Sequence, residues 1–230
     1  MKKAKFKKSI VVFLGPVGVG KSTQIRLLHN YLETKNCRSV STYIKSSHIF
    51  ANLLSQSLRR MGLSENVVYP DGVVESYPKK SIVRKIFPLW VFLDSISLTL
   101  KFFFSVIVPF SLGYTVLIEE GPFMTFHTYL VSFPTFFNTK PVVLPFSSYL
   151  LGWLLSKSYF QIVLEGSDQD LEVRRKKRRF RRSELAKYVL SQKMWMQNLT
   201  WNNAYFVDTS RADICSVHKN IVKILEKEEI

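Results

Sequence analysis

Eight consecutive residues, Gly15-Pro16-Val17-Gly18-Val19-Gly20-Lys21-Ser22, have the spacing G-x-x-x-x-G-K-S of a phosphate-binding loop. The glycines let the backbone wrap tightly, so that successive N–H groups face phosphate oxygens. Lys21 can reach the β- and γ-phosphates, and the Ser22 hydroxyl suits Mg²⁺. The helix that follows adds its positive N-terminal end. The expected chemistry is binding of ATP with Mg²⁺ as cofactor, by Gly15, Val17, Gly18, Val19, Gly20, Lys21, Ser22 and Thr23.

Two further clusters carry charge suited to phosphate chemistry. Glu119-Glu120 closes an apolar run and is followed by Gly121-Pro122. One of these carboxylates can hold a magnesium-bound water, or accept a proton if the acceptor is a hydroxyl; an ordinary acidic turn is the plainer alternative. Eight cations lie between Arg174 and Arg182. Arg174, Arg178, Arg181 and Arg182 are candidates for meeting charge on a transferred phosphoryl group, because a guanidinium fork holds phosphate oxygens at two points. Arg174 and Arg178 share a helix face by their four-residue spacing. Not all eight can face one ligand, so several are surface charges. Asp94, inside an apolar helix, needs a partner. Lys45 is a candidate acceptor contact or a plain surface lysine. His48 and His127 have no metal-ligand companions and read as structural or surface residues.

The elements that must position these residues read as an alternation of strand and helix. Ile10–Leu14 is a strand leading into the loop. A helix from about Ser22 to Lys35 carries Ile25, Leu28, Tyr31 and Leu32 on one face. Ser39–Ile44 is a second strand, with Lys45 at the carboxyl end, where ligands of open α/β sheets collect. Phe50–Met61 reads as a helix closed by Gly62. The polar stretch Ser64–Lys85, with Pro70, Gly72 and Pro78, reads as an irregular connection. An apolar helical segment, Ile86–Val108, precedes a third strand, Tyr114–Ile118. A fourth strand, Phe160–Leu164, leads to a helix capped by Ser167 or Asp168. A helix from Ser183 to about Leu199, a strand Tyr205–Val207 and a helix from Arg211 to about Lys227 complete the chain. This order predicts a parallel sheet with right-handed crossovers.

Length and composition bound the possibilities. The 230 residues suit one domain, 1–230, with a basic tail at 1–8. Two cysteines, Cys37 and Cys215, make neither a disulfide framework nor a metal cluster. The start of the chain shows no secretion signal, and a cytoplasmic location follows. Most of the net charge of +16 comes from the lysines before Ser9 and the run at 174–182. No aromatic-interleaved RNA-binding signature accompanies that run, which argues against nucleic acid. Phe102–Ile118 and Pro141–Ser156 are apolar enough to raise a membrane question. Both are short for a span, and Pro109 and Gly113 divide the first. Peripheral contact with an acidic membrane at its inner surface fits the lysine-rich start better.

With Gly15–Thr23, Leu93-Asp94 in an apolar helix, Val116–Glu120 at a strand end, Leu164–Arg182 and Phe206-Val207-Asp208-Thr209-Ser210, the chain resembles the thymidylate kinase family from about Ile10 to Leu225. The resemblance implies a three-layer α/β phosphate-loop NTPase fold with a five-stranded parallel sheet. It also implies an arginine-rich lid at about 167–184, a homodimer, and transfer of the ATP γ-phosphate to a nucleoside monophosphate. The donor side is kept: Gly15–Thr23 with Lys21, and the arginine-rich lid with Arg174, Arg178, Arg181 and Arg182. The acceptor side departs. Val17 stands where the family has an acidic residue, and Tyr43-Ile44-Lys45-Ser46-Ser47 replaces an Arg-Glu-Pro-Gly segment. Asp94-Ser95 and Glu119-Glu120 each replace an Asp-Arg pair. Three functions remain open: a small-molecule kinase with a diverged acceptor, a non-catalytic regulatory nucleotide binder, or a membrane-associated ATPase.

Overall fold

The computed structural model describes residues 8–45, 49–68, 74–132, 134, 138–142, 153, 159–177, 190–196, 204–210 and 212–228. Its centre is a five-stranded sheet built from β1 (Ile10–Leu14), β2 (Ser39–Ile44), β5 (Thr115–Glu120), β6 (Tyr159–Glu165) and β7 (Ala204–Asp208), in the order β2-β5-β1-β6-β7. Every pairing in it is parallel. Both faces of such a sheet are covered, so its strands read as continuous apolar runs. β1 shows this, with all five residues buried.

Alternation along β1 divides the core in two. Ile10, Val12 and Leu14 join the layer formed with α2 (Ile49–Arg60) and α3 (Lys80–Phe102). Val11 and Phe13 face the opposite layer, with Ile25, Leu28 and Leu32 of α1 (Lys21–Thr34), Leu171 of α6 (Asp168–Lys177) and Val217, Ile221 and Leu225 of α7 (Ile214–Lys227). This is the three-layer α/β arrangement that the sequence predicts. Ser167 begins α6, its Oγ accepting from Asp170 N–H at 3.2 Å. Asp213 caps α7, accepting from the N–H groups of Cys215 and Ser216.

One stretch differs from expectation. Ser64–Lys85 is not an irregular connection: β3 (Ser64–Val68) and β4 (Val74–Pro78) form an antiparallel hairpin, paired from Ser64↔Pro78 to Val68↔Val74. α3 then begins at Lys80, six residues before the apolar run. Beyond Phe102 the helix continues through a π-helical turn, Phe103–Ile107, into the short α4, Val108–Ser111. Pro109 has no N–H to give the ladder, which accounts for irregular pairing there.

Lys80–Ser111 is long and apolar enough to cross a membrane, and 39% of its most apolar window is buried. Its outward side exposes Leu89, Phe92, Leu100, Phe103 and Phe104. Of the second apolar run, Val142 and Trp153 pack against the core; residues 143–152 and 154–156 lie outside the described residues.

Candidate active site

β1 delivers the phosphate loop to the carboxyl edge of the sheet, where the strand order reverses around it. Gly15 has φ 143°, Gly18 φ 92° and Gly20 φ 107°, all in a region that L side chains avoid. A Cβ at Gly15 would stand 2.5 Å from the Leu164 carbonyl oxygen. The loop is therefore pressed against β6 by backbone alone. Lys21, the first residue of α1, is buried and folds back over the loop. Its Nζ donates to Gly15 O at 2.8 Å and Pro16 O at 3.2 Å. The first turn of α1 carries no acidic residue, so its positive end is left for an anion.

β5 lies beside β1 and brings the two glutamates to the loop. Ser22 Oγ donates to Glu119 Oε1 at 2.9 Å. Glu120 Oε1 lies 3.6 Å from Lys21 Nζ, and its Oε2 lies 3.5 Å from Lys45 Nζ. Burial pushes the Lys21 ammonium below the usual lysine range, and the charges of Glu120 and Glu119 oppose that. Glu120 is 3% exposed and has φ 73°, ψ −57°. A non-glycine residue held there costs about 1–3 kcal/mol. The conformation turns the chain sharply into α5 (Gly121–His127) while the carboxylate stays between the two lysines.

Ser22 and Glu119 supply hard oxygen donors, as Mg²⁺ requires. Among the described residues no three His, Cys, Asp or Glu side chains cluster to hold an ion by themselves. That fits Mg²⁺, which is commonly held by one or two protein oxygens together with substrate phosphates.

Arg174 lies on the other flank of the loop. Its Nη2 donates to Thr209 O at 2.6 Å, and its Nη1 to Thr209 Oγ1 at 3.1 Å and Val19 O at 3.5 Å. Thr209 Oγ1 in turn donates to Glu165 O at 2.8 Å. Arg174 thus ties α6 to the loop and to the segment after β7, which places it beside the donor site with much of its fork already engaged. Lys193 braces the start of α6, donating to Gly166 O at 3.2 Å and pairing with Asp168. Arg178, Arg181 and Arg182 lie outside the described residues.

Asp94, in α3, is fully buried and accepts a hydrogen bond from the Tyr129 hydroxyl. Burial, with the Asp94 charge beside it, pushes the Tyr129 phenol well up. Asp94 therefore sits in the core. His127 is buried as well, its Nε2 3.1 Å from Ser191 Oγ and its Nδ1 3.3 Å from Ser132 Oγ.

A thymidylate kinase from Candida albicans aligns with 97% of this chain and 93% of its own, at TM-score 0.59 and 16% identity. The chain has a thymidylate-kinase fold. A thymidylate kinase from Ehrlichia chaffeensis aligns with 95% of this chain and 99% of its own, at TM-score 0.44 and 16% identity. No protein-family model matches the sequence, and no curated protein matches it.

Within the thymidylate-kinase fold the loop, Ser22, Glu119, Glu120 and Lys45 converge on one edge. Sequence reasoning missed Thr209 as the partner of Arg174 and Tyr129 as that of Asp94, and of its two alternatives for His127 the structural one holds. The signal for Tyr129 was present: a carboxylate in an apolar helix demands a donor. Nothing in sequence spacing links positions 35 residues apart on different elements.

His127 gives a prediction. Burial depresses its imidazole to about 4, opposed by a hydrogen bond with Ser191; Lys45 lowers it further and Glu120 raises it. The unfolded chain takes up the proton near pH 6.5, before the folded protein does. The stability contribution is therefore whole above about pH 6.5, falls between 6.5 and 4, and changes no further below. Its size is on the order of 3 kcal/mol. Burial lowers His218 too, and that residue adds to the same slope. Chemical denaturation at intervals from pH 7.5 to 4.5 should show a shallower loss for His127→Asn than for the parent protein. Parallel curves would remove His127 as the cause.

Proposed function

We propose that this chain is an ATP-dependent phosphotransferase, with Mg²⁺, that passes the γ-phosphate of ATP to a small acceptor bound between the ends of β2 and β5. The observation that carries the reading is the convergence of Lys21, Ser22 and Glu119 at the end of β1, with Ser22 Oγ hydrogen-bonded to Glu119. Phosphoryl transfer asks for positioning and fixed positive charge more than covalent chemistry. Lys21 exchanges its contacts with Gly15 O and Pro16 O for the β- and γ-phosphates. The loop N–H groups and the start of α1 hold the remaining phosphate charge. Ser22 with Glu119 would hold Mg²⁺, which when bound would supply positive charge to offset that of the phosphates. Arg174 fixes the wall between the loop and Thr209, and the family resemblance assigns Arg178, Arg181 and Arg182 to the phosphates. Lys45 serves the acceptor by direct contact, and Asp94, paired with the fully buried Tyr129, holds α3 in place behind it.

The acceptor differs from thymidine monophosphate. Where the family places arginines for the acceptor phosphate, this chain has Lys45, Ser95 and Glu120. Val17 cannot accept a hydrogen bond from a sugar hydroxyl, which leaves that group unpaired on binding. Glu120 is partly offset by Lys21 and Lys45, so repulsion of the incoming anion is softened but not removed. Steady-state kinetics with thymidine monophosphate and ATP·Mg²⁺ should give kcat/KM below about 10⁴ M⁻¹s⁻¹, under the ordinary enzyme range. A higher value would return the chain to the usual acceptor. Equilibrium binding of a fluorescent ATP analogue, with and without Mg²⁺, tests the donor half separately, and absence of binding would end the reading.

A second reading concerns location. The exposed side of α3 and the π-helical turn after it, with Leu89, Phe92 and Phe104, is unusually apolar for a solvent face. We place the membrane contact or the homodimer there, on an otherwise cytoplasmic enzyme whose lysine-rich start favours an acidic membrane surface.

A further inference from the structure

We propose that the acceptor is a neutral primary alcohol on an apolar body, and that the buried carboxylate of Glu120 receives its hydroxyl. The inference deepens the phosphotransferase reading and depends on it. Glu120 Oε2 is buried and accepts no hydrogen bond among the described residues; its contact is the ion pair with Lys45 at 3.5 Å. That separation exceeds a good hydrogen bond and leaves acceptor capacity on the oxygen. A buried acceptor without a donor is costly, and native proteins keep such groups where a ligand completes them. The backbone strain at Glu120 adds to the case, because φ 73° in a non-glycine residue persists only where the surroundings over-determine it.

Charge decides between a hydroxyl and a phosphate acceptor. Glu120 shares Lys21 and Lys45 before nucleotide binds. Once Lys21 turns to ATP, Glu120 is left paired with Lys45, and that pair is neutral. A neutral hydroxyl can donate to it at little cost. A phosphate monoester carries nearly two negative charges and would face a buried carboxylate in a site poor in water. The surroundings suggest the remainder of the molecule. α2 begins four residues after Lys45, with Ile49, Phe50 and Leu53 exposed. Phe50 N–H donates to Ser97 Oγ at 3.1 Å, which seats this apolar turn on α3 one turn beyond Asp94.

The transfer then runs as follows. The alcohol oxygen bonds to the γ-phosphorus as the bond from that phosphorus to the β–γ bridging oxygen breaks. ADP leaves with the electron pair, and the hydroxyl proton passes to the Glu120 carboxylate and on to solvent after product departs. The loose transition state of phosphoryl transfer demands only a weak base.

The test uses the full chain with γ-labelled ATP·Mg²⁺ and two acceptor sets: farnesol and decanol in mixed micelles, and thymidine monophosphate with the other common nucleoside monophosphates. The expected result is a labelled alkyl monophosphate that partitions into organic solvent. Glu120→Gln should lower its formation by at least 100-fold, while a fluorescent ATP analogue binds as tightly as before or tighter, since Lys21 is released. Retained nucleotide binding also reports that the variant folds. Faster transfer to a nucleoside monophosphate than to either alcohol overturns the proposal, as does nucleotide binding with no alkyl phosphate formed; both leave the donor site intact. Loss of nucleotide binding by the parent protein overturns the donor reading, and this inference with it.

Discussion

Replacing Lys21 with alanine should lower ATP-dependent transfer by about 10²- to 10³-fold, the range expected when one preorganised cation is removed from a charge-developing centre. The side chain is buried, and its ammonium is held by Gly15 O, Pro16 O and Glu120. Those contacts hold the ammonium over the loop until phosphate oxygens replace the two carbonyl oxygens as its partners. Burial also lowers its pKa, but the glutamates beside it oppose the loss of charge. The fold should survive the change. Glu120 keeps Lys45 as its partner at 3.5 Å, and Pro16 O keeps the Val19 N–H at 3.4 Å. ATP consumption, nucleotide affinity and circular dichroism on mutant and parent separate the outcomes. Undiminished consumption with an intact spectrum would remove Lys21 from the chemistry. Loss of the spectrum would make its role structural.

The elements around that lysine were legible because they are written in local pattern. Ile10–Leu14 is a continuous apolar run, as a buried parallel strand should be, and the loop spacing names its own function. The five sheet strands and α1 follow from the same kind of signal. The hairpin was not legible. Ser64-Glu65-Asn66-Val67-Val68 and Val74-Glu75-Ser76-Tyr77-Pro78 are short and polar, and Pro70, Gly72 and Pro78 give them the composition of a loop. Its ladder is a tertiary fact, since only the pairing of the two strands makes either of them a strand.

The site shows the same division. Lys21 and Ser22 could be assigned from neighbours in sequence. The arrangement of Glu120 between Lys21 and Lys45 could not, because each comes from a different element and meets the others only at the sheet edge. Sequence reading left Glu120 as one of two carboxylates for a magnesium-bound water or a proton, or as part of an acidic turn. In the folded protein it is a shared counter-ion, and that distinction bears directly on which acceptor fits. Arg174 is a similar case. Its place in an arginine run suggests a phosphate contact, whereas its hydrogen bonds to Thr209 and Val19 make it a tie across the donor side.

The second large effect is expected at Gly15, where geometry allows no side chain. Gly15→Ala would place a Cβ 2.5 Å from the Leu164 carbonyl oxygen and 2.9 Å from Val19 Cγ1. The first obstacle is backbone of a central strand, paired to both β1 and β7, and it cannot swing aside as a side-chain tip would. The alanine must also adopt φ 143°, a region that costs other residues about 1–3 kcal/mol. Relief requires moving the loop away from β6, which displaces the N–H groups that face the phosphates and shifts the Lys21 anchor at Gly15 O. Two readouts should therefore change together. Nucleotide affinity should fall by at least about 100-fold, the loss of a few kcal/mol of phosphate contacts. The melting temperature should drop on the order of 10 °C, since each kcal/mol shifts a domain of this size by roughly 2–4 °C. Gly20→Ala is the control. Its φ of 107° carries backbone strain, but a Cβ there meets nothing within 4 Å, so a shift of only a few degrees is expected. Equal losses for the two variants would mean that strain alone, and not the close approach to β6, governs the loop. Unchanged affinity in Gly15→Ala would mean that the phosphates are not held where this backbone places them.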